Sequence, residues 1–139
     1  MVKAIKKTLS GTLLVMALAF SANISAGAAN LGWSGYASTP GSSIYTSNAT
    51  KYTSSSIPFV NYRHSSSSIG VITQVRRYNS RYNFVNATCP GTNYVINNDG
   101  VYYFIKNYAY EKYNSKCNVR LRLVGSARGS YSGKWRPDC

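Results

Sequence analysis

Cys117-Asn118-Val119-Arg120-Leu121-Arg122-Leu123-Val124 alternates apolar and polar side chains over most of its length. A period of two places the two sets on opposite sides of an extended chain, which marks a half-buried β-strand. Ile69, Val71, Thr73 and Val75 alternate in the same way with Gly70, Ile72, Gln74 and Arg76. Around these two segments, residues 57–63, 82–87, 92–96, 101–110 and 131–135 also read as extended, the last stopped by Pro137. Nothing after residue 29 sustains the 3.6-residue period of an amphipathic helix. Six or seven short strands predict an all-β fold, a small antiparallel β-sandwich or barrel.

Register sharpens this reading. Asn97-Asn98-Asp99-Gly100 is the strongest turn in the chain, because Asn, Asp and Gly tolerate the positive φ of tight turns. A hairpin there places Tyr94 and Ile96 on one face with Val101, Tyr103 and Ile105, and that face is the predicted core. Val119, Leu121 and Leu123 join the same side if the connection through 111–116 has odd length or a bulge, since a one-residue slip exchanges the faces. The opposite face then carries Tyr102, Phe104, Lys106, Tyr108 and Tyr110 beside Asn118, Arg120 and Arg122. Tyr102, Lys106, Tyr108, Arg120 and Arg122 are therefore the candidate ligand-binding residues.

The N-terminus reads as an export signal. Lys3, Lys6 and Lys7 precede an apolar centre from Leu13 to Phe20, and Ala26-Gly27-Ala28 supplies the small-x-small pattern of a cleavage site. The run is shorter than the roughly 20 apolar residues of a membrane span, so no transmembrane anchor is expected. The predicted organisation is a signal peptide at 1–29, a Ser/Thr/Asn-rich arm at 30–56 built of short edge strands or loosely packed chain, and a β-rich domain at 57–139. Export makes disulfides chemically accessible. Cys89 with Cys117 is the expected bridge, leaving Cys139 free or linking two chains, and Cys117 with Cys139 is the alternative.

Composition narrows the chemistry. The 139 residues hold 16 Lys+Arg, three Asp+Glu and one histidine, a net charge of +13. Cleavage of the signal removes three lysines and no acid. Structural zinc sites use four ligands, calcium sites several carboxylates and glycoside hydrolysis two acids in one cleft, so no metal or cofactor is expected. No phosphate-binding glycine loop or nucleophile elbow occurs. His64 with Glu111 would be the barest acid–base pair for cleaving RNA, and no spacing ties them together. The basic excess instead favours anionic partners, and the 13 tyrosines offer flat rings beside the arginines.

The strand Val119-Arg120-Leu121-Arg122-Leu123, followed by Ser132-Gly133-Lys134-Trp135-Arg136-Pro137-Asp138, resembles the end of a group of small secreted proteins of Gram-positive bacteria. Those proteins finish in Gly-x-Trp-Ser-Pro-Asp-Ser and form a domain of unknown function. Gly133, Trp135, Pro137 and Asp138 carry the resemblance, whereas Arg136 and Cys139 stand where the family has serines. The resemblance implies a secreted β protein and no particular activity. The layout is also similar to that of small basic bacteriocins.

The combined expectation is a secreted, extracellular, non-enzymatic protein that binds an anionic polymer or surface of the bacterial envelope. A bacteriocin-like toxin is the first alternative, and a small secreted ribonuclease a distant one.

Overall fold

The computed structural model describes residues 30–62, 68–89 and 94–139. The signal read at 1–29, and His64, lie outside the described residues. Within them the chain forms ten strands in two antiparallel sheets, with one short helix. The four-stranded sheet has the order β1 (Leu31–Ala37), β10 (Gly129–Trp135), β4 (Ile57–Asn61), β8 (Tyr103–Ile105). The six-stranded sheet is built on the long central pair β5 (Ile69–Arg77) and β9 (Cys117–Gly125). Short strands β2 (Ser43–Tyr45) and β3 (Ala49–Lys51) run along the free side of β9, and β6 (Val85–Asn86) and β7 (Val95–Ile96) along that of β5. The all-β sandwich-like architecture is the predicted one, and among the described residues no barrel closes.

The central pair follows from the alternation. In β9 the side chains of Cys117, Val119, Leu121 and Leu123 are all buried, and in β5 Ile69, Val71, Thr73 and Val75 are buried. The opposing sheet contributes Trp33, Ile57, Phe59, Ile105, Tyr131 and Trp135, with Trp33 stacked on Phe59 at 5.4 Å between ring centres. Each fully buried side chain of this size contributes about 1.5–3 kcal/mol by leaving water.

Residues 30–56 form edge strands rather than a loose arm. β1 pairs along its whole length with β10, and its alternation turns Trp33 and Ala37 inward. β2 and β3 are one interrupted edge. Between them Thr46 holds the break, donating its N–H to the Leu121 carbonyl and accepting the Leu121 N–H at its hydroxyl, at 3.0 and 2.8 Å.

Two expectations fail here. First, the 97–100 turn does not close a hairpin. β7 pairs with β5 in the larger sheet, whereas β8 pairs with β4 in the smaller one, so the turn carries the chain from one sheet to the other. Ile96 and Ile105 are both buried because each faces the same interlayer core from its own side, and Val101 is exposed. Gly100 still has the positive φ the turn demands, 72°, and its N–H reaches the Asn61 carbonyl at 2.7 Å.

Second, the strand expected over 101–110 ends at Ile105 and is followed by helix α1 (Ala109–Tyr113). Buried Asn107 redirects the chain: its amide donates to the Ile105 carbonyl and its carbonyl oxygen accepts the Ala109 N–H, both at 3.2 Å. Such a side chain offers the backbone an alternative to the ladder. One turn of helix is too short to leave a periodic signal.

The expected disulfide is absent: none of the three described cysteines is bridged to another. Cys117 points into the core and donates to the Ala109 carbonyl at 3.4 Å, Cys89 lies against the Tyr108 phenol, and exposed Cys139 donates to the Ser56 carbonyl. Packing beneath α1, rather than a bridge, holds Cys117.

Candidate anion-binding face

The outward residues of the central pair make a cationic surface. Antiparallel register sets Gln74 opposite Arg120, Ile72 opposite Arg122 and Arg76 opposite Asn118. Arg120 Nε donates to Gln74 Oε1, and Arg122 Nε to Ser43 Oγ, both at 2.8 Å. Aromatic rings then fix the guanidinium planes. Arg120 Cζ lies 4.3 Å from the centre of the Phe84 ring and 4.5 Å from that of Tyr45, while Arg76 Cζ lies 4.6 Å from Phe84. Tyr45 ends β2, paired with Arg122, and Phe84 lies just before β6. Cation–π contact of this kind contributes about 0.5–1 kcal/mol where solvent reaches it.

No carboxylate offsets these charges. Asp138 is paired with Lys51, Asp99 accepts from the Asn61 amide on the smaller sheet at 3.1 Å, and Glu111 belongs to α1. Diagonal neighbours on adjacent antiparallel strands lie about 7–8 Å apart, and alternate residues of one strand about 6.8 Å, so Arg76, Arg120 and Arg122 form a row at near-regular spacing.

The structure thus joins only two of the five candidate residues. Arg120 and Arg122 share this face. Tyr102 and Lys106 flank β8 in the other sheet, and Tyr108 lies beyond it, donating its N–H to the Ala87 carbonyl just after β6. The expectation that they stand beside the arginines assumes that the 101–110 strand runs beside β9. Tyr102 is 43% exposed and hydrogen-bonded to Tyr62, whose phenol is raised by partial desolvation and then by Tyr102 itself. Lys106 donates its backbone N–H to the Tyr94 hydroxyl at 2.6 Å. Tyr108 precedes α1, and its phenol is raised by the hydrogen bond with Cys89 and by the charge of Glu111.

Three members of the face are not among the five candidates. Arg76 was legible, since it follows the outward set Gly70, Ile72 and Gln74. Tyr45 and Phe84 were not, because their place depends on which strands pair.

The residues that carry the family resemblance have structural positions. A Cβ at Gly133 would collide with the Val60 carbonyl oxygen and approach the Trp33 ring to 2.8 Å. Trp135 is fully buried, Pro137 accepts a hydrogen bond from Lys51, and Asp138 is its ion-pair partner. No family model matches the chain, and no curated protein or solved structure is significantly similar to it.

Proposed function

We propose that this is an exported, non-enzymatic protein that binds an anionic polymer of the bacterial envelope with the outer face of its larger sheet. The observation that carries this reading is the uncompensated row Arg76, Arg120 and Arg122, with the Arg120 plane held by two rings. A guanidinium fixed in this way loses less side-chain entropy when a ligand arrives, and its Nη edge presents a fork suited to phosphate or carboxylate. Because Arg120 and Arg122 spend their Nε donors on the sheet, the Nη donors are the ones left to meet the polymer. The regular spacing suits a chain of repeating anionic groups better than one small ion.

Sedimentation with intact Gram-positive cells across a salt series tests the reading. The protein co-sediments at low salt and is released as salt rises, with a logarithmic slope of about −2 for three neutralised charges. The variant Arg120→Glu/Arg122→Glu stays in the supernatant while its circular dichroism matches the parent. Undiminished binding by that variant would remove the face from the site, and a parent protein that never sediments would remove the envelope partner. Cells are expected to survive; killing on binding would make the protein a toxin of the bacteriocin kind.

A further inference from the structure

At the end of the central pair, beyond the core, a cavity of about 340 Å³ lies between β5, α1 and the turn into β9, lined by Arg77, Tyr78, Lys112, Tyr113, Ser115 and Lys116. Its shape follows from the local chain. Arg77 is the last residue of β5, opposite Cys117 at the start of β9. Asn114 ends α1 in the left-handed conformation, φ 50°, and reverses the chain so that Ser115 and Lys116 come back toward β5.

Two of the three cations are held in place by rings across the cavity. Arg77 Cζ lies 5.4 Å from the centre of the Tyr113 ring, and Lys116 Nζ lies 4.2 Å from that of Tyr78. Lys112 stands in the last turn of α1, where the helix carbonyls favour a cation. No carboxylate lines the cavity. Three positive charges line the cavity with the hydroxyl-bearing residues Ser115, Tyr78 and Tyr113, and an anion from outside would relieve their mutual repulsion.

We propose that this cavity binds a phosphate monoester. A guanidinium fork and two ammonium point charges match a compact dianion with several acceptor oxygens. A singly charged carboxylate or phosphodiester would leave more of the positive charge unmet. The volume admits a phosphorylated polyol or sugar end group. The site adjoins the Arg76 end of the Arg76–Arg120–Arg122 face but shares no lining residue with it, so substitutions can test each by itself.

The test is NMR titration of the mature protein at pH 8 with glycerol 3-phosphate, following the ring signals of Tyr78 and Tyr113. Dimethyl phosphate and acetate at equal ionic strength are the comparisons. Saturable shifts with glycerol 3-phosphate, at least tenfold weaker with either monoanion, are expected. Arg77→Gln and Lys116→Gln each weaken binding about tenfold, and Lys112→Gln, on the helix surface, provides a variant that leaves the ring contacts intact. Arg120→Glu/Arg122→Glu leaves the affinity unchanged. Equal affinity for the diester or acetate, or full binding by Arg77→Gln and Lys116→Gln in folded protein, would overturn the proposal.

Discussion

Lys51 Nζ and Asp138 Oδ1 lie 3.1 Å apart, joining the edge strand β3 to the C-terminal end of the chain in an ion pair that solvent barely touches. Lys51 is fully buried and also donates to the carbonyls of Ser55 and Pro137 at 2.5 and 2.7 Å. Asp138 accepts the backbone N–H groups of Tyr52 and Thr53 at 2.8 and 3.2 Å and the Thr53 hydroxyl at 2.7 Å. Every donor of the ammonium is used, and both carboxylate oxygens accept hydrogen bonds. This is a clasp, not a binding site.

Removing one partner strands the other. Lys51→Met leaves the Asp138 carboxylate buried without its cation, and breaking a buried pair in this way costs about 3–5 kcal/mol. Urea denaturation of the variant should give a lower midpoint with an unchanged slope. A loss below 1 kcal/mol, on the order expected for an exposed pair, would show that the clasp is open to water in solution.

Acid should open the same clasp. Burial by itself would raise the Asp138 carboxyl, but the Tyr52 N–H, the Thr53 hydroxyl and the Lys51 ammonium together hold it below the ordinary value. A carboxyl depressed in the folded state stabilises the fold above the unfolded-state pKa, about 3.9, and the gain disappears as pH falls through the folded value. Thermal melts from pH 6 downward should show Tm falling below about pH 4, less steeply in Asp138→Asn than in the parent. Parallel curves would assign the acid sensitivity elsewhere.

The three thiols should separate by reactivity. Burial pushes the Cys117 thiol up to about 11, with the nearby Lys51 ammonium acting in the other direction. Its thiolate is therefore scarce at pH 8, and alkylation should run at least roughly a hundredfold slower than at exposed Cys139. Above about pH 8.5 the unfolded thiol ionises before the folded one, so Cys117 lowers stability as pH rises toward its folded value. Mass spectrometry after brief iodoacetamide treatment should find Cys139 modified first. On non-reducing electrophoresis a dimer band should form and vanish in Cys139→Ser.

Phe84→Ala separates ring positioning from charge. The variant keeps Arg76, Arg120 and Arg122 but frees two guanidiniums from the ring that holds them. Binding to anionic envelope polymer should weaken by up to about five- to thirtyfold, the equivalent of two exposed contacts of about 0.5–1 kcal/mol each, while the salt slope stays that of the parent. A flattened slope would mean that Phe84 controls how many charges engage, not merely where they stand.

The alternation in 69–76 and 117–124 is enough to specify which side of each central strand faces inward, because a strand buried on one face must repeat every two residues, and Val119, Leu121 and Leu123 admit only one inward side. The same alternation makes Arg120 and Arg122 an outward pair. It says nothing about partners across a turn. Asn97–Gly100 has the chemistry of a reversal, and that chemistry is the same whether the chain returns beside itself or crosses to another layer.

What the sequence alone determined is the all-β class, the inward and outward sets of β5 and β9, and the excess of positive charge. Only the tertiary structure decided that β7 and β8 belong to different sheets, that Asn107 ends a strand and opens a helix, and that Phe84 and Tyr45 meet Arg120. The physical reason is range. Side-chain periodicity is a local property written residue by residue, whereas strand pairing is chosen by which faces together exclude most water, and residues 39 or 75 positions apart, such as Asn79 with Asn118 or Thr46 with Leu121, carry no mark of one another until the sheets close.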